Sequence, residues 1–466
     1  MARAKKEATL TPEERLQAAL VPDWEWPYKL PGNWCWTKIG SISSLHRGVS
    51  YKKTDAHTER RENSCLVMRG GNICEGSIDT EADNIYVDIS LVAENQIVRK
   101  NDIIIVASTG STKVIGRAGI SKMDYLDVAF GAFLLLVRPS TKVNQRYIDY
   151  FFLSDNYRNR IKKLASGINI NNIRGEYITE TLVPLPPLPE QQRIVDRIES
   201  LFAKLDEAKE KAQAVVDSFE TRKAAILHKA FTGELTAKWR EEHGVGMESW
   251  RTISFKDVCK KITDGTHHSP INTENGEYMY ITAKNIKENG IDLTNITFVS
   301  KDVHEEIYSR CDVQYGDVLY IKDGATTGIA TVNTIDKPFS LLSSVAVLRP
   351  DKKQILAEYM AYNLNSSKTK TMMISSMSGN AITRLTLNKI KAASITICSL
   401  DEQEEIVRLI DDLLGKEQQA KEPAEIVLNQ IDLMKKSILA RAFRGELGTN
   451  DPTEESAVEL LKKIIQ

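Results

Sequence analysis

The sequence predicts an α+β protein: two mostly β domains separated by two long antiparallel helices that form a coiled coil. Three observations carry this. A stretch rich in helix formers occurs twice, at residues 188–235 and 400–447, with no net change in length. Both copies show apolar residues at alternating spacings of three and four, the signature of a helix that buries a narrow seam against a partner. Outside them, short β-branched runs alternate with Gly, Asn and Asp turns, as in compact β domains.

Residues 1–33 read as an N-terminal arm. Thr11-Pro12-Glu13-Glu14 is a helix start, with a hydroxyl cap, proline in the first turn and acids near the positive end of the helix dipole. Residues 34–187 form the first β domain. Its strands are expected at Cys65–Met68, Asp102–Val106 and Phe133–Val137, followed by a helix from Tyr147 to about Leu164. The domain closes on Pro184-Leu185-Pro186-Pro187-Leu188-Pro189, which cannot become helical until its last proline has passed. The first helical spacer follows at 188–235, then a linker at 236–249. The second β domain spans 250–399, the second spacer 400–447, and an acidic, helical tail 448–466.

The two β domains share a plan. Gly316-Asp317 precedes Val318-Leu319-Tyr320-Ile321 as Asn101-Asp102 precedes Ile103-Ile104-Ile105. Arg349-Pro350 answers Arg138-Pro139, and Tyr359 answers Tyr147. The offset is 211 to 212 from Arg138 onward but reaches 215 before it, so the domains differ in their N-terminal parts and loops. The helical segments keep length where the domains keep only architecture.

The first seam runs Ile194, Ile198, Leu201, Leu205, Ala208, Ala212, Val215, Phe219 and Ile226. The second runs Ile406, Ile410, Leu413, Glu417, Ala420, Ala424, Val427, Ile431, Met434 and Ile438, so Glu417 interrupts it. Gly415 and Pro423 weaken this helix, and a kink or break is expected near Pro423. A narrow seam this long cannot bury itself, so the two helices are expected to pair with each other. Each segment ends in Ala-Phe-x-Gly-Glu-Leu. Gly233 and Gly445 fit a left-handed cap, with Leu235 and Leu447 as the apolar contact beyond it.

Bulk composition bounds the function. The 466 residues carry 62 Lys+Arg against 63 Asp+Glu, a net charge of -1, which does not announce a nucleic-acid partner but hides local patches. Six scattered cysteines form no Cys-x-x-Cys pair, so neither a zinc site nor a disulfide framework is expected. Met1-Ala2-Arg3-Ala4-Lys5-Lys6-Glu7 is not a signal peptide, and no apolar run spans a membrane. A cytoplasmic protein is expected.

No catalytic signature is present. Gly110-Ser111-Thr112-Lys113 lacks the spacing of a phosphate-binding P-loop. The Asn/Asp-Pro-Pro-aromatic motif of amino-methyltransferases is missing, and Pro186-Pro187 is the only Pro-Pro pair. His267-His268 has no cysteine or acid at ligand spacing, so no metal is expected there. Several interstrand loops instead combine glycine, amides and cations, the types that approach phosphates and base edges. In the first domain the candidates are Arg47, Lys52, Lys53, Arg69, Asn72, Ser108, Lys113, Asn169, Asn171 and Asn172. In the second they are Thr266, His267, His268, Lys284, Asn285, Lys322, Asn380 and Arg384. A solvated turn has the same composition; recurrence in both domains is the stronger signal.

Together, Pro184 to Val195, the two Ala-Phe-x-Gly-Glu-Leu ends and the duplicated plan resemble the specificity subunit of type I restriction-modification systems, from about Trp34 to Leu447. The resemblance implies that each β domain is a target recognition domain reading one half of a split DNA site. It implies that the paired helices set the spacer and dock two modification subunits, joined by restriction subunits. The chain itself would be non-catalytic and hold no cofactor; S-adenosylmethionine, ATP and Mg are expected in the partners. Leu400-Asp401-Glu402-Gln403 departs from the family pattern in lacking the proline-rich lead of the first copy. The alternatives are the specificity subunit of a multisubunit type II system, an enzyme with its own methyltransferase activity, and a coiled-coil scaffold that does not bind DNA.

Overall fold

The structure is a computed structural model that describes residues 11–111, 113–166, 172–377 and 384–466. The chain divides into two compact units: residues up to Lys211 with Val427–Gln466, and Ala212–Ile426.

In the first unit, α1 (Pro12–Ala19) is capped by the Thr11 side chain, with Glu14 returning a bond to the Thr11 amide. The chain continues through β1 (Cys35–Lys38), α2 (Ile39–Ile42), β2 (Ser43–Arg47), β3 (Ser64–Met68), β4 (Ile73–Cys74), β5 (Ser77–Ile78) and β6 (Tyr86–Asp88). It goes on to β7 (Ile103–Val106), β8 (Ala118–Ile120), β9 (Val128–Phe130) and β10 (Leu134–Pro139). Then come α3 (Gln145–Phe152), α4 (Asp155–Ser166), α5 (Gly175–Thr179) and β11 (Leu182–Leu185). The single helix expected from Tyr147 to Leu164 is therefore two, parted at Ser154, whose buried hydroxyl donates to Phe151 O.

The central sheet has the order β2-β10-β7-β8, all antiparallel. A second sheet, β6-β3-β9, pairs β3 with β9 in parallel. The period of two explains how they stack. Ile103, Ile105, Leu135 and Val137 enter the core shared with α3, α4 and the arm. Ile104, Val106, Leu134 and Leu136 face the opposite core with Leu66, Met68 and Phe130. A strand apolar on both faces is one buried between two layers, and each such side chain contributes about 1.5–3 kcal/mol on burial. The arm is part of this packing: Ala19, Val21 and Leu30 are buried in the first core.

α6 (Leu188–Thr232) begins in this unit. In the second unit it is followed by α7 (Ala237–His243), β12 (Arg251–Ser254), α8 (Phe255–Val258), β13 (Cys259–Asp264) and β14 (Tyr278–Ile281). Next are β15 (Ile286–Lys287), β16 (Gly290–Ile291), β17 (Thr297–Val299), α9 (Lys301–Arg310), β18 (Val318–Ile321) and β19 (Ala330–Val332). β20 (Ser340–Leu341), β21 (Val345–Pro350), α10 (Ala357–Asn365), α11 (Ser367–Ser375), α12 (Leu387–Ala392), β22 (Ser394–Ile397) and α13 (Leu400–Ala442) complete it. The sheets β13-β21-β18-β19 and β17-β14-β20 repeat those of the first unit strand for strand. The shared Asp and Arg-Pro landmarks are one ion pair: Arg138 grips Asp102 through two bonds, 2.8 and 2.7 Å, and Arg349 grips Asp317 at 2.9 and 2.9 Å. One difference among the described residues bears on the site. Where the second unit has α9, the first has two short 3-10 turns, Ile89–Leu91 and Glu94–Gln96.

Within each unit α6 and α13 lie side by side and antiparallel. In the first, Ile194 and Ile198 share a core with Leu439, Ala442 and Phe443, and Lys435 pairs with Asp206 at 2.5 Å. In the second, Leu227 and Ala230 share a core with Ile406 and Ile410, and Lys421 lies 4.6 Å from the Phe219 ring centre. The expected break at Pro423 is absent: α13 is helical from Leu400 through Ala442. Proline removes one backbone bond. Neighbouring contacts, the buried Ala424 and Lys421 over Phe219, hold the turn in place. Gly233 and Gly445 take left-handed conformations, φ +83 and +73. At the second, Glu446 N–H donates back to Arg441 O at 2.9 Å and Gly445 N–H to Ala442 O at 3.1 Å, the two bonds that close such a cap. α14 (Ala457–Ile465) returns the tail to the first core through Ala457 and Leu461.

Candidate nucleic-acid interface

In both units the central sheet ends in the same rim. β2 ends at Arg47, opposite Leu135, and β13 ends at Asp264, opposite Ala346. A glycine follows each. A Cβ on Gly48 would lie 2.1 Å from Gly131 O, and one on Gly265 would lie 1.9 Å from Leu341 O, so neither position admits a side chain. This close approach turns Val49 and Thr266 into parallel bridges with Gly131 and Leu342. The rim is completed by the segment after the helices: Ile173 N–H donates to Ala107 O at 2.6 Å, and Leu385 N–H donates to Lys322 O at 3.3 Å. Asn172 and Arg384 thus occupy corresponding places, both exposed.

In the first unit the rim encloses a groove of about 630 Å³ lined by Arg47, Ser50, Asn172 and Arg174. An adjoining hollow of about 530 Å³ is lined by Tyr51, Lys53, Arg69 and Phe133. Phe133 is 67% exposed, unusual for phenylalanine at a turn. Arg69 pairs with Asp83, while Arg47, Lys52 and Lys53 are exposed. His46, between Leu45 and Arg47 on β2, contacts Ser44 and Asn95, and burial, helped by the Arg138 guanidinium, holds its imidazole below the usual range.

In the second unit the same rim is built on charges. Asp264 is buried and accepts from Arg310 Nη2 at 2.7 Å. Lys322 is also buried, with its ammonium 2.6 Å from Asp323 and 3.5 Å from Asp264. His267 is exposed, its Nε2 2.9 Å from Arg310 Nη2.

The family described as Type I restriction modification DNA specificity domain matches residues 31–216 and 247–427. The chain belongs to this family. It is 28% identical over 456 residues to the type I restriction enzyme EcoKI specificity subunit of Escherichia coli K12, covering 94% of this chain and 96% of that one. It is 27% identical over 450 residues to the StySPI specificity subunit of Salmonella potsdam, with 94% and 96% covered. The fold is similar to that of the HsdS subunit from Thermoanaerobacter tengcongensis, with a TM-score of 0.57, 18% identity, and 91% and 99% of the two chains covered. It is similar also to a chain solved in work on complex assembly and conformational transition of the type I R-M system, with a TM-score of 0.67, 19% identity, and 90% and 100% covered.

The remaining candidates fall on these two specificity domains as follows. Asn72 and Asn285 are buried and hold matched turns. Asn72 accepts from Arg69 N–H at 2.7 Å and donates to Asp79 O at 2.9 Å; Asn285 accepts from Thr282 N–H at 3.1 Å and donates to Asp292 O at 3.0 Å. They shape loops and present no free amide. Ser108 bridges Asn172 at the rim. Lys113 and Lys284 are exposed, and Thr266 closes a turn onto His268 N–H at 3.3 Å. Asn169, Asn171 and Asn380 lie outside the described residues.

The repeated helix starts do something that sequence spacing did not reveal. Glu402, fully buried at the start of α13, accepts from Thr236 Oγ1 at 2.7 Å, Arg240 Nη1 at 2.6 Å and Trp250 Nε1 at 2.9 Å. Glu190, its counterpart at the start of α6, accepts from Thr449 Oγ1 at 2.7 Å and Arg193 Nη2 at 2.6 Å. Each helix start is thus bound to the segment just past the other helix's Gly-Glu-Leu end. Gln191 and Gln403 work alike, accepting from Asn144 and Leu356 amides at 2.8 and 3.0 Å.

Proposed function

We propose that this chain is the non-catalytic DNA-recognition subunit of a type I restriction-modification complex, reading a bipartite target with one specificity domain per half-site. The observation that carries this reading is the pair of rims. The strand order is the same in both domains, yet the rim is Arg47 with Asn172 and Arg174 in one and Asp264, Arg310 and His267 in the other. One scaffold bearing two different sets of donors is what an asymmetric split site requires.

The helices would set the unspecified spacer: α6 has 45 residues and α13 has 43, and 45 residues rise about 70 Å. They would also dock two modification subunits. Leu433 and Met434 on α13 are 65% and 45% exposed, which fits a helix face awaiting a protein partner. Restriction subunits would join that assembly in the cytoplasm. S-adenosylmethionine, ATP and Mg would be held by the partners, since methyl transfer and translocation are their chemistry.

Methylome sequencing of cells carrying the complete system tests this directly. A methylated motif split by a fixed gap is expected. A continuous motif, or methyl transfer by the purified chain alone, would overturn the reading.

A further inference from the structure

Each rim carries an exposed cation near the end of its first strand, by different routes. At the end of β2 the cation is Arg47 itself. At the corresponding end of β13 stands a carboxylate, Asp264, which is buried. A buried carboxylate needs partners, and it has three: Lys322 from the end of β18, Arg310 from the end of α9, and the exposed His267, whose Nε2 lies 3.5 Å away. Lys322 is itself buried and held by Asp323, so its ammonium is closed to a ligand. Arg310 is different. Its side chain is 52% exposed, and only Nη2 has partners, Asp264 and His267, among the described residues. Nη1 and Nε remain as donors at the open rim. α9, which delivers Arg310, has no counterpart in the first unit.

We infer that Arg310 is the principal base-reading side chain of the second specificity domain, and that it reads a guanine. This rests on the DNA-reading function proposed above and says which side chain performs it. A planar guanidinium fits the two acceptors of guanine, O6 and N7, in the major groove. Asp264 fixes one edge of the fork and thereby orients the rest. The hydrogen that Nη2 now gives His267 completes the fork with Nη1 when the exposed imidazole swings aside. A phosphate contact would need no such orientation. Sequence reading passed over Arg310 because it ends a polar helix, where a cation is ordinary.

The test compares the full complex carrying wild-type chain, Arg310→Ala or Arg310→Lys, by methylome sequencing and by binding to DNA substituted one base pair at a time. The wild-type half-site assigned to this domain contains a G·C pair. Arg310→Ala loses preference at that pair by about tenfold to a hundredfold, with the other half-site unchanged. Arg310→Lys keeps the charge but loses the fork, so it shows the same relaxation with stronger overall binding than Arg310→Ala. The lysine variant also guards against misfolding, because the other half-site reports an intact complex. A half-site without a G·C pair, unchanged preference in both variants, or weakening uniform over all sequences overturns the assignment. The last result would make Arg310 a phosphate contact. Only a wild-type complex that reads no bipartite site would overturn the underlying function as well.

Discussion

Arg222 Nε donates to Glu417 Oε2 at 2.5 Å, joining α6 to α13 where each heptad seam lacks an apolar side chain. The first seam skips from Phe219 to Ile226, and the second is interrupted at Glu417. The two gaps face each other and fill as one ion pair, with Arg222 Nη2 also reaching Val215 O at 3.3 Å. A polar pair in an apolar seam fixes register at a cost in stability. Arg222→Leu alone strands the Glu417 carboxylate and should lower stability by about 1–2 kcal/mol. Arg222→Leu with Glu417→Leu should recover that loss. Thermal unfolding of the single and double variants measures the coupling, and equal, additive losses would show that the pair does not communicate.

Glu402→Ala removes the acceptor for three donors at once, Thr236, Arg240 and Trp250. Leaving a largely buried arginine without its carboxylate costs about 3 kcal/mol. Denaturant titration should show the unfolding free energy falling by that amount. Glu402→Gln, which keeps an acceptor for Thr236, should recover part of it. A loss below about 0.5 kcal/mol for Glu402→Ala would mean that the joint is ornamental.

Asp149 is buried, with Arg146 3.3 Å away, and burial pushes its carboxyl up to about 6. The folded-state value lies above the unfolded one, so the unfolded chain gives up this proton first. Stability from this group is present at low pH and is lost as pH rises from about 4 to 6. Asp149→Asn should therefore be more stable than wild type at pH 7, with the difference shrinking toward pH 4. Melting temperatures across that window decide it, and a difference independent of pH would contradict the cause given.

The ruler has its own test. A heptad inserted into α6 alone should disturb its pairing with α13 and destabilise the chain. Matched heptads in both should restore folding and lengthen the gap in the methylated motif. A folded, doubly extended chain with an unchanged gap would show that the helices do not set the spacer.

Much of the fold was legible because it is periodic. The runs at Cys65–Met68 and Ile103–Val106 became strands since alternate side chains had two cores to enter. The caps at Gly233 and Gly445 were legible because a left-handed turn selects glycine. What stayed hidden depends on contacts distant in sequence. Thr236 and Glu402 are 166 residues apart, and nothing local marks either as the other's partner. The expected break at Pro423 gave too much weight to one lost backbone bond and too little to packing around Ala424. At the rim, glycine-rich loops drew notice, yet Asn72, Asn285 and Lys322 turned inward. Arg310, on a helix, turned out. Composition identifies a loop's polarity, whereas burial decides which of its side chains meets solvent.

The central claim is that each specificity domain reads one half-site independently. Replacing residues 36–183 with the corresponding segment of another specificity subunit, and sequencing the methylome of cells carrying the complete system, tests it most directly. One half-site should change to that of the donor, while the other half-site and the gap remain as in wild type. A change in both half-sites, or in neither, would contradict it.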